Sequence, residues 1–252
     1  MRVVTFNLHA GVDGWGRRTA ALATALDLAP DLLIAPETWR GDDGDDFVAT
    51  LAEAGLSGEF AELARAERVT GALAGRGWQP WSAHLTGEHG LHFTEHRALT
   101  QRQRARRDDA RREAGAWGLG LFTRLPLDSV AVEPIERLPR ERVRRAAIVA
   151  RLRLGERPFG VVAVHGAHLS HGSFIQYRRV RELVAGLDPA LPVILGGDFN
   201  SWRPPLRAFL PGWADLARAR TWPARHPHSQ IDHLLARGPW RVVASGSRDG
   251  GS

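Results

Sequence analysis

None of the 252 residues is cysteine, which excludes a disulfide framework, a thiolate zinc site and a catalytic thiol together. Lysine is absent as well, so the formal net charge of +6 comes entirely from arginine. GC-rich coding raises Arg, Ala and Gly at once, and the basic balance alone therefore does not point to nucleic acid. No apolar run approaches the roughly 20 residues needed to cross a bilayer. Met1 to Asn7 carries no charged leader followed by an apolar stretch. A soluble, cytoplasmic protein without a membrane span is expected. There is no internal repeat and no His-Glu-x-x-His helix. The glycine-rich Gly11-Val12-Asp13-Gly14-Trp15-Gly16 matches neither the Walker pattern nor the dinucleotide fingerprint.

What is present is an alternation of apolar runs and amphipathic stretches. With 43% hydrophobic residues, the chain can bury one substantial core, and a single domain over 1–252 is expected. Strands are predicted at Val3–Phe6, Asp31–Ala35, Ala146–Leu154, Phe159–Val164, Pro192–Leu195, Ile231–Ala236 and Arg241–Ala244. The apolar spacing predicts helices over Arg17–Leu28, stopped by Pro30, and over Phe174–Leu187. Gly155-Glu156-Arg157-Pro158 reads as a hairpin turn. The run Asp42-Asp43-Gly44-Asp45-Asp46 lacks EF-hand spacing and reads as an ordinary acidic loop. From about 96 to 114 the chain is dominated by Arg, Gln and Asp, which predicts a surface insertion.

Candidate chemistry lies at the ends of these strands, where open α/β architectures place ligands. Asn7 ends the first strand and Glu37 follows the second. His168 follows the strand ending at Val164. Asp198 and Asn200 close Pro192-Val193-Ile194-Leu195-Gly196-Gly197-Asp198-Phe199-Asn200, and Asp232 sits in Ile231-Asp232-His233. A zinc triad of His165, His168 and His171 is disfavoured, because neighbours three apart alternate faces on a strand. His233, directly after Asp232, is expected to point to the opposite face. His9, Trp39 and Trp202 are read as local packing as readily as substrate contacts, whereas the Tyr177-Arg178-Arg179 run is read as a solvated helix face in preference to a substrate clamp.

Taken in order, these residues resemble the endonuclease/exonuclease/phosphatase superfamily, the group that includes DNase I and the AP endonucleases. The matching motifs are Thr5-Phe6-Asn7, Pro36-Glu37, Gly118 to Pro126, Ala167-His168-Leu169, Gly197-Asp198-Phe199-Asn200, Thr221 to Ala224 and Ile231 to His233. Pro36 stands where the family usually has Gln, and Leu119 and Gly120 where it has Asn and Ala. The resemblance implies a DNase I-like α/β sandwich, two packed mixed β-sheets flanked by helices. It also implies a Mg²⁺-dependent phosphoesterase, with Mn²⁺ as substitute, acting on a phosphate ester that includes DNA or RNA among its candidates. Glu37, helped by Asn7, would hold the metal. Asp198 would orient or activate water, Asn200 and His168 would donate to phosphoryl oxygens, and Asp232 would hold the catalytic histidine.

Against the family pattern the chain stops at Ser252, before a Ser-Asp-His motif and one more strand. The resemblance therefore implies that the general-base histidine and the last strand are missing, with poor solubility as a consequence. The alternative to an enzyme is a catalytically impaired phosphate- or nucleic-acid-binding remnant of the same family.

Overall fold

Runs of Val, Ile, Leu and Ala, buried continuously along the central strands, build the core of this molecule. A computed structural model describes residues 1–12, 19–70, 111–138, 143–168, 172–223 and 226–249. In chain order the strands are β1 (Val3–Thr5), β2 (Leu32–Gly41), β3 (Ser57–Thr70), β4 (Arg111–Thr123) and β5 (Leu127–Pro134). They continue with β6 (Ala146–Leu154), β7 (Arg157–His165), β8 (Val193–Asp198), β9 (Ala214–Asp215) and β10 (Asp232–Arg237). The described helices are α1 (Ala21–Asp27), α2 (Phe47–Glu53), α3 (Phe174–Ala185) and α4 (Arg203–Phe209).

The strands form a four-stranded sheet in the order β1-β2-β4-β3 and a six-stranded sheet in the order β5-β6-β7-β8-β10-β9. Both sheets are mixed. β1 runs parallel to β2 and β7 parallel to β8, and the other pairs are antiparallel. Alternation along β7 shows how the layers stack. Val161 and Ala163 join the core between the sheets with Leu33, Ile34 and Leu121. Val162 and Val164 face the other way, against Tyr177, Val180 and Val184 of α3. The central strands β7 and β8 are thus buried on both faces and read as near-continuous apolar runs. β5, at the edge, buries little of its length.

Several predicted elements differ in extent. The strand predicted at Asp31–Ala35 begins at Leu32 and continues to Gly41, carrying Glu37 within it. The helix predicted over Arg17–Leu28 spans Ala21–Asp27 among the described residues. Arg241–Ala244 is not a strand, and Val243 is 88% exposed there, so this short β-branched run finds no sheet partner. β3 and β4 were not anticipated. β3 is rich in Ala, Glu, Leu and Arg, which favour helix, and Gly115, Gly118 and Gly120 weaken the β signal of β4. Pairing along thirteen residue positions overrides both tendencies. Of the Arg-rich stretch at 96–114, residues 111–114 begin β4 and the rest lie outside the described residues.

The acidic loop has structural work. Asp46 caps α2 by accepting from the amides of Val48 and Ala49, Asp45 pairs with Arg68, and Asp42 pairs with Arg65. Such an N-cap contributes about 1 kcal/mol.

Candidate active site and metal centre

Strand register lines up three chemistry-bearing side chains. His165, the last residue of β7, lies opposite Asp198, the last of β8, and Asp198 lies opposite Asp232, the first of β10. Residues opposed across adjacent strands share a face. Ala163, Ile194 and Leu234, at even spacing from these positions, all lie in the core between the sheets. His165, Asp198 and Asp232 therefore project into that same inter-sheet space.

Glu37 reaches the row from the other sheet by a backbone irregularity. Ile34 packs close to Gly196 across the sheets, so plain alternation would send residue 36 inward and residue 37 outward. The β2–β4 register shifts between Pro36 and Thr38, and Glu37 adopts φ 56°. A bulge re-aims a side chain in this way, and a positive φ at a glutamate is strain that surrounding structure must hold in place. One ligand atom each from Glu37, His165 and Asp198 then lies within 4.8 Å of the others.

Asn7 bridges the two carboxylates. Its Nδ2 donates to Glu37 Oε1 at 3.0 Å and to Asp198 Oδ2 at 3.1 Å, while its Oδ1 accepts the His9 amide at 2.9 Å. The His9 contact decides the amide orientation, since only the oxygen can accept. Asn7, predicted as an oxygen ligand, thus presents its nitrogen to the carboxylates here. Asp198 Oδ1 accepts the Asn200 amide at 2.7 Å, and Asn200 Nδ2 donates to the Gly166 carbonyl at 3.0 Å.

The electrostatics are those of a site short of positive charge. Burial, reinforced by Asp232 and then Glu37, pushes the Asp198 carboxyl well above its ordinary 3.8. Burial also pushes Asp232 up to about 6, with Thr221 opposing and Glu37 adding to the rise. Burial, with Arg145 adding to it, drives the His165 imidazole well below 6.5, so the ring is neutral near pH 7. Arg145 stands over the Trp117 ring at 5.4 Å, and Trp117 lies 5.3 Å from the His165 ring. Among the described residues no arginine forms an ion pair with Glu37, Asp198 or Asp232. Asp232 Oδ1 and His165 Nδ1 are buried without a hydrogen-bond partner.

The fold around this row is held from behind by α3. Gln176 accepts the Ala167 amide and donates to the Glu136 carbonyl, and Tyr177 donates its hydroxyl to the Phe199 carbonyl. Tyr177 is buried, so the solvated-face reading of the 177–179 run holds only for its arginines. Gly197, at φ 133°, has no room for a side chain, because a Cβ would collide with the Val164 carbonyl. That close approach keeps β7 and β8 in register at the site.

The structure brings together Asn7, Glu37, Asp198, Asn200 and Asp232 from the predicted set. His168 is exposed and lies outside the ligand cluster, which contains His165 instead. Of the three histidines weighed as a zinc triad, His171 lies outside the described residues, His168 is exposed and His165 belongs to the ligand cluster. Its signal was positional, since His165 ends β7 as Asp198 ends β8. His233 faces away as expected, with Nε2 2.9 Å from the Ser201 carbonyl and its ring edge-on to Phe199. Among the described residues no histidine is hydrogen-bonded to Asp232, whose backbone amide instead donates to Thr221 Oγ1 at 3.3 Å. Trp39 is buried over Arg68, whereas Trp202 is 57% exposed.

Comparison with known proteins follows the same line. Residues 4–252 match the model of the Endonuclease/Exonuclease/phosphatase family. No curated protein matches the chain. Among solved structures, the chain resembles an endonuclease/exonuclease/phosphatase family protein from Leptotrichia buccalis C-1013-b. The TM-score is 0.59 at 10% identity, covering 94% of this chain and 87% of that one. It also resembles D. rerio TDP2 complexed with single strand DNA product, with TM-score 0.54, 13% identity and coverage of 93% and 82%. A third similar structure is sphingomyelinase C from Streptomyces griseocarneus, with TM-score 0.55, 14% identity and coverage of 93% and 82%. At these identities the likeness concerns the fold, which is the DNase I-like sandwich of two mixed sheets. No described helix is long and apolar enough to cross a membrane.

Proposed function

Because the chain belongs to the endonuclease/exonuclease/phosphatase family, we propose that it hydrolyses a phosphodiester with the help of a divalent cation, Mg²⁺ first and Mn²⁺ as substitute. The observation that carries this reading is the convergence of Glu37, Asp198 and Asp232 beside a neutral imidazole, with no ion pair from a described arginine. Carboxylates that repel one another and resist ionisation in a buried site are stabilised by a hard cation, and oxygen donors suit Mg²⁺. The donor set fits: Glu37 and Asp198 would hold the ion through carboxylate oxygens, with Asn7 keeping the two carboxylates side by side. When bound, the cation offsets charge on the phosphoryl oxygens.

The remaining work falls to side chains. Asp198, fixed through Oδ1 by the Asn200 amide and through Oδ2 by Asn7, orients the attacking water and accepts its proton. His165, neutral and held at the end of β7, donates a ring N–H to a phosphoryl oxygen, and Asn200 contributes its second amide hydrogen. Geometry favours His165 for this role over the exposed His168. Asp232 offers a buried, unpartnered Oδ1 that would accept an N–H or a proton. The whole chain acts as one domain around the shared inter-sheet core.

The test is hydrolysis of bis(p-nitrophenyl) phosphate by the full chain, with Mg²⁺ or with EDTA, beside Mg²⁺ titration calorimetry. Mg²⁺-dependent turnover that Glu37→Gln abolishes is expected. Equal rates in EDTA and Mg²⁺ would remove the metal reading. Mg²⁺ binding without turnover would select the second reading, a catalytically impaired phosphate- or nucleic-acid-binding member of the family.

A further inference from the structure

His165 brings to the carboxylate row a donor of a different kind. Glu37 and Asp198 offer oxygen, which suits a hard cation, whereas an imidazole nitrogen suits zinc and the later first-row ions. One ligand atom from each of the three residues lies within 4.8 Å of the other two, and His165 Nε2 stands 3.8 Å from Glu37 Oε1. That separation is too long for a hydrogen bond. It is close to the roughly 3.4 Å that separates two donors on one tetrahedral zinc ion at about 2.1 Å each.

The ring is held ready for such an ion. Its side chain is 2% exposed, and Nδ1 is buried without a hydrogen-bond partner. Strand register sets His165 opposite Asp198, and Trp117, 5.3 Å away and tilted by 55°, packs against the imidazole and limits its rotation. Being neutral near pH 7, the ring has one nitrogen lone pair to give. The histidine series 165, 168 and 171 is not what supplies the ligands here. One histidine and two carboxylates are three protein donors, the number that holds zinc with a fourth position open.

We propose that Glu37, His165 and Asp198 also form a zinc site, in which His165 Nε2 lets Zn²⁺ displace the activating cation and silence the protein. Zinc there takes both carboxylates that Mg²⁺ needs. It also confines the remaining ring N–H to the buried Nδ1, away from a phosphoryl oxygen. The silencing rests on the phosphodiesterase reading, whereas the competition between ions does not.

The test is titration calorimetry of the full metal-free chain with Zn²⁺ and with Mg²⁺, for the parent, His165→Gln and His168→Gln. The parent is expected to bind one Zn²⁺ about a hundredfold more tightly than Mg²⁺, and one equivalent of Zn²⁺ should abolish the heat of Mg²⁺ binding. His165→Gln should weaken Zn²⁺ binding by about tenfold or more while Mg²⁺ affinity stays within about threefold, since the oxygen donors remain. His168→Gln should change neither. Co²⁺ in place of zinc should give the strong visible absorption of a low-coordinate ion in the parent and lose it in His165→Gln. In Mg²⁺, hydrolysis of bis(p-nitrophenyl) phosphate by the parent should stop with one equivalent of Zn²⁺ and return when EDTA removes it.

Unchanged Zn²⁺ affinity in His165→Gln, an equal loss in His168→Gln, or Mg²⁺ binding undisturbed by zinc would overturn the site. An equal loss of both ions in His165→Gln would mean a damaged pocket and overturn it too. Should that variant fail to fold, the parent's Co²⁺ spectrum decides, because the weak absorption of an octahedral ion contradicts the mixed donor set. Failure of the parent to hydrolyse the diester would count against the phosphodiesterase reading alone, since neither the calorimetry nor the spectrum needs turnover.

Discussion

Two half-buried polar clusters flank the loop that follows β1, and they are built on opposite principles. At one, Arg68 is buried over the Trp39 ring at 4.9 Å and donates to Glu113 at 2.7 Å, Asp45 at 2.6 Å and the Ala10 carbonyl at 2.6 Å. Its charge is matched and its donors are used, which is how a buried ion is tolerated. At the other, reached through Asn7, three carboxylates meet a neutral imidazole and leave Asp232 Oδ1 unpartnered. The first cluster needs nothing further. The second leaves its carboxylates without an arginine partner among the described residues, and unsatisfied buried groups of this kind gather at functional sites.

Breaking that contrast at the acidic cluster is expected to have the largest effect. Glu37→Gln and Asp198→Asn should each lower Mg²⁺-dependent phosphodiester hydrolysis by about 10³ or more, roughly 4 kcal/mol of barrier, without lowering the melting temperature of the metal-free protein. A variant within tenfold of the parent would remove these residues from the catalytic set. Arg68→Met should do the reverse, costing about 3 kcal/mol of stability by stranding Glu113 and Asp45. At about 2–4 °C per kcal/mol for a domain near this size, a thermal melt should fall by about 6–12 °C. A fall below 2 °C would mean that the cluster is not structurally important.

The pH response sharpens the comparison. Asp232 has a folded-state pKa raised from 3.8 to about 6, so the native protein binds more protons than the unfolded chain between those values. Stability from this group is therefore full below about pH 4 and declines as pH rises through about 6, by on the order of 3 kcal/mol. Asp198 shifts in the same direction. Metal-free protein should melt lower at pH 7.5 than at pH 5, and Mg²⁺ should raise the melting temperature at pH 7.5 but not at pH 5. Asp232→Asn should flatten the metal-free pH profile, and an unaltered profile would contradict the burial of that charge.

Smaller effects test the supports. Tyr177→Phe removes the hydroxyl bonded to the Phe199 carbonyl and should cost about 1 kcal/mol, seen as a melting shift of a few degrees. His165→Gln should lower turnover by about 10², while His168→Gln should leave it within threefold. The opposite ranking would restore His168 to the site.

The family and the sandwich were legible because each depended on local pattern, and so was the placing of Asn7, Glu37, Asp198, Asn200 and Asp232 at neighbouring strand ends. Gly197-Asp198-Phe199-Asn200 ends a buried strand, and the collision a Cβ would suffer at Gly197 explains why glycine must stand there. His165 was legible in principle from its place at the end of β7 but was set aside with its neighbours. Glu37 was picked out as following a strand, yet its inward aim comes from the bulge at Pro36–Thr38, which no period-2 reading contains. β3 and β4 were missed because helix-favouring residues and glycines carry them, and only their mutual pairing makes them strands.

By itself the sequence determined which residue types stand at strand ends and which runs can be buried, because alternation and turn chemistry act within a few residues. Only the tertiary structure decided which histidine meets the carboxylates and which way Asn7 turns its amide. Those outcomes depend on strand register, on the bulge in β2 and on the Coulomb field of groups up to 191 positions apart in sequence. None of these is a property of any local segment.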